Sequence, residues 1–529
     1  MTFPSRHLCL LQDTLLVSAE RLPDKVALVV DGTSYTYAEL LRASQRLATR
    51  LRNGGHRRGD RVAIYMDNTW ACAVSIFGTL LADGVFLVVN PQTKAEKLQY
   101  ILNDSGAAAL ISDGHLSQIF LPALEKNSTV RCIICSGTLP ESSARTLAPF
   151  DEAIDEANSD GVPAFSGPEA IALDLAALIY TSGSTGNPKG VMMTHQAMTF
   201  TVGSLIQYLR LDENDRILNL LPLAFDYGLY QLLMAVRLGA TLVLERAFTY
   251  PGQILKQVES QAITVFPGVP MVFMSLVDMH GRKPLSFPSV KRVTNTAAAL
   301  PTDILPKLRE IFPEALIFSM YGLTECKRVS YLEPELLEKM PDSVGKAIPG
   351  TEVFLLSEDG KPVASGEVGI LHVRGPHVML GYWNQPELSA QMLKAGRLPG
   401  ERILCTQDFF RMDEQGQLYF VGRSDDIIKS RGEKVSPVEV ENCLHGMPGV
   451  REAAVVGVPD TLLGEAIRAY VALSEDASLT EKKVQAYCLS KLENFMVPQE
   501  VIFLPVLPRT GSGKIHKKSL LRVSVDTPR

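Results

Sequence analysis

Between Tyr180 and Val191 the chain reads Tyr-Thr-Ser-Gly-Ser-Thr-Gly-Asn-Pro-Lys-Gly-Val, so three glycines, four Ser/Thr hydroxyls and one lysine fall within twelve residues. Glycines let a backbone turn tightly and bring its N–H groups up to a ligand. Hydroxyls and a lysine add donors and positive charge, and the whole set suits a polyphosphate. Lys189 follows a proline and no Gly-Lys-Ser/Thr occurs, so this is not the P-loop pattern. By composition alone the segment would also serve as a solvated linker. Its order, and the Thr194-His195 that follows, are more specific than its composition.

Three further places carry groups suited to the same chemistry. Ser319-Met320-Tyr321-Gly322-Leu323-Thr324-Glu325 follows the apolar run Ala315 to Phe318, about 140 residues after the glycine-rich segment. A glutamate at such a strand end can bind Mg2+, which keeps waters and substrate phosphates as its other ligands. Tyr321 offers a flat face for stacking. Read alone, the five residues from Tyr321 to Glu325 would equally make a plain turn. Thr406-Gln407-Asp408 and Tyr419-Phe420-Val421-Gly422-Arg423 add a carboxylate, suited to paired ribose hydroxyls, and a guanidinium. Near the end of the chain, Arg509-Thr510-Gly511-Ser512-Gly513-Lys514 places a lysine on a Gly/Ser-rich loop, where without context it reads as a surface charge.

Taken together and in this order, the four segments resemble the adenylate-forming superfamily of acyl-CoA synthetases, luciferases and peptide-synthetase adenylation domains. The resemblance covers roughly residues 10 to 520. It implies ATP and Mg2+ as cofactors, with Thr181, Ser182, Gly183, Ser184, Thr185, Gly186 and Lys189 around the phosphates. Ala298, Met320, Tyr321 and Gly322 would flank the adenine, Thr324 the α-phosphate, Asp408 and Arg423 the ribose and phosphates, and Glu325 the metal. Lys514 would bridge the carboxylate and the α-phosphate, offsetting charge in the transition state; with Thr181, Glu325 and His195 it completes the expected catalytic set. A small C-terminal domain would rotate about Asp425 between acid activation and thiol transfer. Rotation would bring the loop Lys429 to Lys434 into the site in place of Lys514. Two departures from the family pattern stand out: Gln407 replaces the usual glycine, and Ala297-Ala298 occupy positions normally held by glycines.

The acid is less constrained. Asp226, in Leu221-Pro222-Leu223-Ala224-Phe225-Asp226-Tyr227, aligns with a position that pairs the α-ammonium group in amino-acid-activating members; the bland alternative is a helix cap. Tyr227, Tyr230, Phe266 and Met320 could enclose a small ring. Tyr321 to Leu332 resembles free-standing enzymes that load proline onto a carrier protein, whereas the Gly432 to Glu439 and Arg509 to Ile515 loops look more like acyl-CoA ligases. The leading expectation is therefore a ligase for an amino acid, L-proline first, acting on a separate phosphopantetheinylated carrier protein. The alternative is an acyl-CoA ligase for a fatty or aryl acid, with CoA as acceptor.

The elements that must position these groups read as α/β. Tyr37 to Asn53 and Trp70 to Ala82 have helical patterns, and Arg61 to Met66, Val85 to Val89, Ala108 to Ser112 and Ile171 to Ile179 read as strands. The alternation resumes over residues 216 to 265, arguing for parallel sheets with helices on both faces. From about Gly350 short strands such as Val353 to Leu356 and Val368 to Val373 suggest a small β-rich subdomain. Beyond Asp425 a compact α+β unit of about 100 residues follows. The expected division is a 1–424 core and a mobile 425–529 domain, the architecture of acyl-CoA synthetases.

Bulk properties agree. The chain has 529 residues, 46% hydrophobic and 21% charged, which suggests more than one domain. A net charge of −6 gives no reason to expect nucleic acid or an anionic membrane. Nine histidines are scattered without metal-ligand spacing, and Cys132-x-x-Cys135 lies in an apolar run with no second such pair. Met1 to Leu16 lacks a basic stretch followed by an apolar core, and no 18-residue apolar run occurs, so a cytoplasmic location is expected.

Overall fold

The computed structural model describes residues 8–521 except 141–145, 156–168, 182–186, 247, 249, 297–299, 424, 425, 427, 431, 432, 461, 462, 475, 476, 493 and 511–513. Helices begin where the sequence supplies caps. Thr36 and Glu39 form a reciprocal capping box ahead of Tyr37–Asn53, and Thr69 accepts from the Cys72 N–H ahead of Trp70–Leu81. Helix Trp70–Leu81 is buried at every position from Ala71 onward, because its apolar side chains occupy all faces rather than one stripe.

Three sheets organise the chain. The first has eight strands, with Arg61–Tyr65 between Val85–Val89 and Ala109–Asp113, all parallel. Val85–Val89 then pairs with Leu175–Thr181. The second has fourteen strands. Its parallel half holds Thr241–Leu244, Arg216–Asn219, Val265–Gly268, Arg292–Asn295 and Leu316–Tyr321. The third has five strands, built on the antiparallel pair Val450–Asp460 and Gly464–Leu473. Its residues carry separate cores, one around Val455, Ile467 and Val471 and one around Tyr470, Leu507 and Leu520. Strand alternation distributes the main core: Leu242 and Leu244 face one cluster and Val243 the other. Among the described residues no helix is long and apolar enough to cross a membrane.

On either side of the glycine-rich segment, Lys189–Thr194 runs antiparallel to Leu175–Thr181. The β-rich segment joins the second sheet. Ser330–Tyr331 and Ser343–Ala347 pair antiparallel beside Leu316–Tyr321 and carry the second sheet on to Leu418–Arg423 and Arg402–Met412. The Gln407 departure has a local cost: its φ of 60° lies in the left-handed region, so the side chain is held there at roughly 1–2 kcal/mol that glycine would not incur.

Candidate active site

The hairpin register sets the first group. Thr181 pairs with Lys189 and Ile179 with Val191, while Tyr382 pairs with Val191 from the other side. Lys189 Nζ thereby reaches the Tyr382 hydroxyl at 2.8 Å and Glu325 Oε1 at 3.3 Å, and the Tyr382 hydroxyl donates to the same Oε1 at 2.6 Å. Lys189 Nζ also lies 4.1 Å from the Tyr382 ring centroid. Burial, and next the Glu325 charge, raise the Tyr382 pKa far above its ordinary value, so this phenol acts as a donor. Glu325 is buried, and its hydrogen bonds use Oε1, leaving Oε2 to a hard cation. Thr181 Oγ1 is buried and has no partner, an orphan hydroxyl at the mouth of the loop that a phosphate oxygen would satisfy.

Glu325 is aimed by a tight turn after Leu316–Tyr321. A Cβ on Gly322 would lie 2.3 Å from the Lys327 carbonyl oxygen, so only glycine permits this approach. Met379 N–H donates to the Glu325 carbonyl and fixes the turn from outside. Thr324 is half-buried on the same turn.

The second group lies across from it. Asp408 and Arg423 are paired on neighbouring antiparallel strands. The Asp408 N–H is held by Thr406 Oγ1 at 3.1 Å, and Oδ2 accepts from the Tyr321 hydroxyl. Arg423 Nε stands 3.6 Å from Oδ1, too long for a hydrogen bond, so that oxygen can still accept from a ribose hydroxyl. Burial raises the Asp408 pKa, with Arg423 opposing. The Tyr321 ring is flanked by Phe410, edge-on at 4.8 Å, and Phe420 at 6.1 Å. Solvent reaches Lys514, yet the facing residues crowd it enough that desolvation lowers its pKa. Arg423 adds to this lowering, while Asp226, Asp408 and Glu325 oppose it. The C-terminal lysine is thus in electrostatic reach of both groups. Ser182, Gly183, Ser184, Thr185, Gly186, Ala298 and Asp425 lie outside the described residues.

The acid-pocket residues assemble in part. Tyr227, Tyr230 and Met320 line one enclosed cavity of about 10 Å³ on helix Asp226–Leu238, together with Lys327 and Arg328. The Tyr227 hydroxyl donates to the Thr294 carbonyl at 2.7 Å, and the Tyr208 hydroxyl to Met320 Sδ at 3.0 Å. Phe266 is a correction. It packs with Phe273 and Phe312 in the second core cluster, while its neighbour Val265 joins the cluster that contains Tyr227. Strand alternation therefore turns Phe266 to the opposite face of the sheet. Asp226 has a cation beside it within the chain, Lys327 Nζ at 3.5 Å from Oδ1. Asp226 is also the first helical residue, where a carboxylate suits the helix dipole.

His195 is a second correction. It is buried at the start of helix His195–Tyr208, and its Nδ1 accepts the Leu11 N–H at 3.1 Å, so the neutral ring carries its proton on Nε2. Burial lowers its pKa to about 4, with Asp174 opposing. The unfolded ring takes a proton near pH 6.5 and the folded one only near pH 4. Stability is therefore whole above pH 6.5 and is lost as pH falls through that window, by on the order of 3 kcal/mol at 1.36 per unit. His195→Asn keeps an acceptor for Leu11 without titrating. Thermal unfolding from pH 7 to 4 is expected to show a shallower loss, with activity within about threefold of wild type; a loss of 10²-fold would restore a catalytic role.

Tyr382, Lys327 and Arg328 were not singled out from sequence. Lys327-Arg328, one residue after Glu325 and ahead of Val329-Ser330-Tyr331-Leu332, was the available signal. Tyr382 offered none.

A family profile described as AMP-binding enzyme matches residues 15–383, and one described as AMP-binding enzyme C-terminal domain matches 439–514. The chain is 30% identical over 540 residues to a long-chain-fatty-acid–CoA ligase of Bacillus subtilis, covering 97% of this chain and 94% of that protein. It is 33% identical over 508 residues to a feruloyl-CoA synthase of Amycolatopsis, covering 95% and 97%. Among solved structures, o-succinylbenzoate CoA synthetase from Bacillus subtilis with ATP and a magnesium ion superposes with a TM-score of 0.81 at 28% identity, covering 96% of this chain and 99% of that one.

Proposed function

The chain belongs to the AMP-binding enzyme family, and from that premise we propose that it joins a carboxylic acid to the thiol of coenzyme A through an acyl-adenylate. It is an AMP-forming ligase that uses ATP with Mg2+. The observation that supports the choice of acid class is the Lys327–Asp226 contact at 3.5 Å, which gives Asp226 a cation from the chain itself in place of an amino-acid ammonium group. The CoA-ligating activities of the relatives support the same reading.

In this reading the carboxylate attacks the α-phosphorus, and pyrophosphate leaves. Positioning and charge neutralisation do the work. Lys514 sits between the attacking carboxylate and the α-phosphate; Lys189, Thr181 and Thr324 hold phosphate oxygens. Asp408 holds the ribose with Arg423 beside it, and Tyr321 packs on the adenine. Glu325 would hold Mg2+, which when bound supplies charge neutralisation at the phosphates. The thiol then attacks the mixed anhydride and AMP leaves. We place the domain boundary between residues 424 and 425, with the hinge at Asp425, so that rotation withdraws Lys514 before thiol attack.

Incubation with ATP, Mg2+, CoA and a panel of fatty, aryl and amino acids, followed by mass spectrometry, tests this. A CoA thioester of a non-amino acid is the expected product. Activation of an amino acid, transferred only to a phosphopantetheinylated carrier protein, would overturn it.

A further inference from the structure

We propose that the acid carries a second carboxylate, received by Arg328 in the lining of the Tyr227–Met320 cavity. This rests on the acid-activating reading above and names the substrate class of that site as short dicarboxylic acids. Arg328 is 1% exposed, among the largest fully buried side chains of the protein. Its Nη1 donates to Thr296 Oγ1 at 2.5 Å, and its guanidinium carbon lies 5.7 Å from the Tyr227 ring centroid. Its Nε is buried and has no partner. Among the described residues no carboxylate stands within ion-pair distance of it. A buried guanidinium normally has an anion, because desolvating the charge without one is costly.

The local charge count points the same way. Lys327 is 3% exposed and takes Asp226 as its partner at 3.5 Å. Glu325, the adjacent acid, is engaged by Lys189 at 3.3 Å. Lys327, whose pKa burial lowers to about 7, and Asp226 thus answer one another, which leaves the buried Arg328 with no carboxylate of its own among the described residues. Apolar walls from Leu205, Met234 and Met320 raise the strength of any ion pair formed there. Arginine's planar fork suits a carboxylate, with Nε and a terminal nitrogen donating side by side. The turn that delivers these residues is held in an uncommon conformation, with Lys327 at a φ of 62°. Such strain at a site persists where the surroundings fix it. The cavity, about 10 Å³, has room for about one water, so the side chains lining it must shift to admit a carboxylate at Arg328.

The test uses the full chain with ATP, Mg2+ and pyrophosphate, comparing matched acids: butyrate with succinate, pentanoate with glutarate, hexanoate with adipate, benzoate with terephthalate. The wild-type protein is expected to exchange with a dicarboxylic member at a kcat/KM at least tenfold above its neutral-ended match. Arg328→Met should remove that preference, raising KM for the dicarboxylate by about 10²-fold while leaving KM for ATP within about twofold; Arg328→Lys should recover only part of it. Wild-type exchange that favours the neutral-ended acids, or a preference unchanged in Arg328→Met, overturns the proposal while upholding acid activation. Absence of exchange with every acid would overturn acid activation itself, and this inference with it. The wild-type comparison decides the matter even if Arg328→Met does not fold.

Discussion

Lys514→Ala is expected to lower acid-dependent ATP–pyrophosphate exchange by about 10²–10³-fold, the size of effect seen when one preorganised donor to a developing charge is removed. The argument is electrostatic. Lys514 interacts with Asp408, Glu325 and Asp226, and although solvent reaches it, the facing residues crowd it enough to lower its pKa. A partly desolvated cation is stabilised more by a charge that grows in the transition state than a fully solvated one would be. The Thr510 N–H donates to the Lys514 carbonyl at 2.7 Å, and Arg509 bridges Ile515, so the backbone of Lys514 is tied to the residues before it. A second readout separates this role from a structural one. Supplied with preformed acyl-adenylate and CoA, Lys514→Ala should form thioester at a rate within about threefold of wild type. Exchange reduced less than tenfold, or both half-reactions lost together, would contradict the assignment.

Glu325→Gln is expected to cost about as much, for a different reason. Glutamine keeps a carbonyl oxygen for the Tyr382 hydroxyl, now 2.6 Å from Oε1, so the fold should be disturbed little. What is lost is the negative charge that suits Mg2+ and balances Lys189 at 3.3 Å. Exchange should fall by at least 10²-fold, and the Mg2+ concentration giving half-maximal rate should rise at least tenfold. Glu325→Ala differs in stability: it leaves the buried Tyr382 hydroxyl without an acceptor and Lys189 without its counter-charge, a cost of about 1–3 kcal/mol for the hydroxyl alone. Thermal unfolding of the two variants distinguishes charge from hydrogen bonding. Unchanged Mg2+ dependence in Glu325→Gln would remove it from the metal site.

Much of this was legible in the chain before folding. Helix Tyr37–Asn53 begins and ends where its periodicity and caps place it, since both signals are local. The motifs around Thr181, Tyr321, Asp408 and Lys514 declared themselves because phosphate and ribose recognition demands particular groups in fixed order. What escaped depended on long-range pairing. Tyr382 reaches Glu325 across 57 residues because its strand happens to pair with Lys189–Thr194. Phe266 was misread because one position along a strand decides which face a side chain occupies. The partner that Asp226 finds within the chain was not legible, for Lys327 is about a hundred residues away in sequence. The glycine normally found at Gln407 becomes intelligible only with its left-handed backbone in view.

The central claim is that this chain activates a carboxylic acid other than an amino acid as its adenylate. ATP–pyrophosphate exchange with the purified full chain, across amino acids, cyclic imino acids, and mono- and dicarboxylic fatty and aryl acids, tests it most directly. Exchange confined to acids without an α-ammonium group is the predicted result. A single strong signal with proline or another amino acid would contradict it, and would require Lys327 to release Asp226 to the substrate.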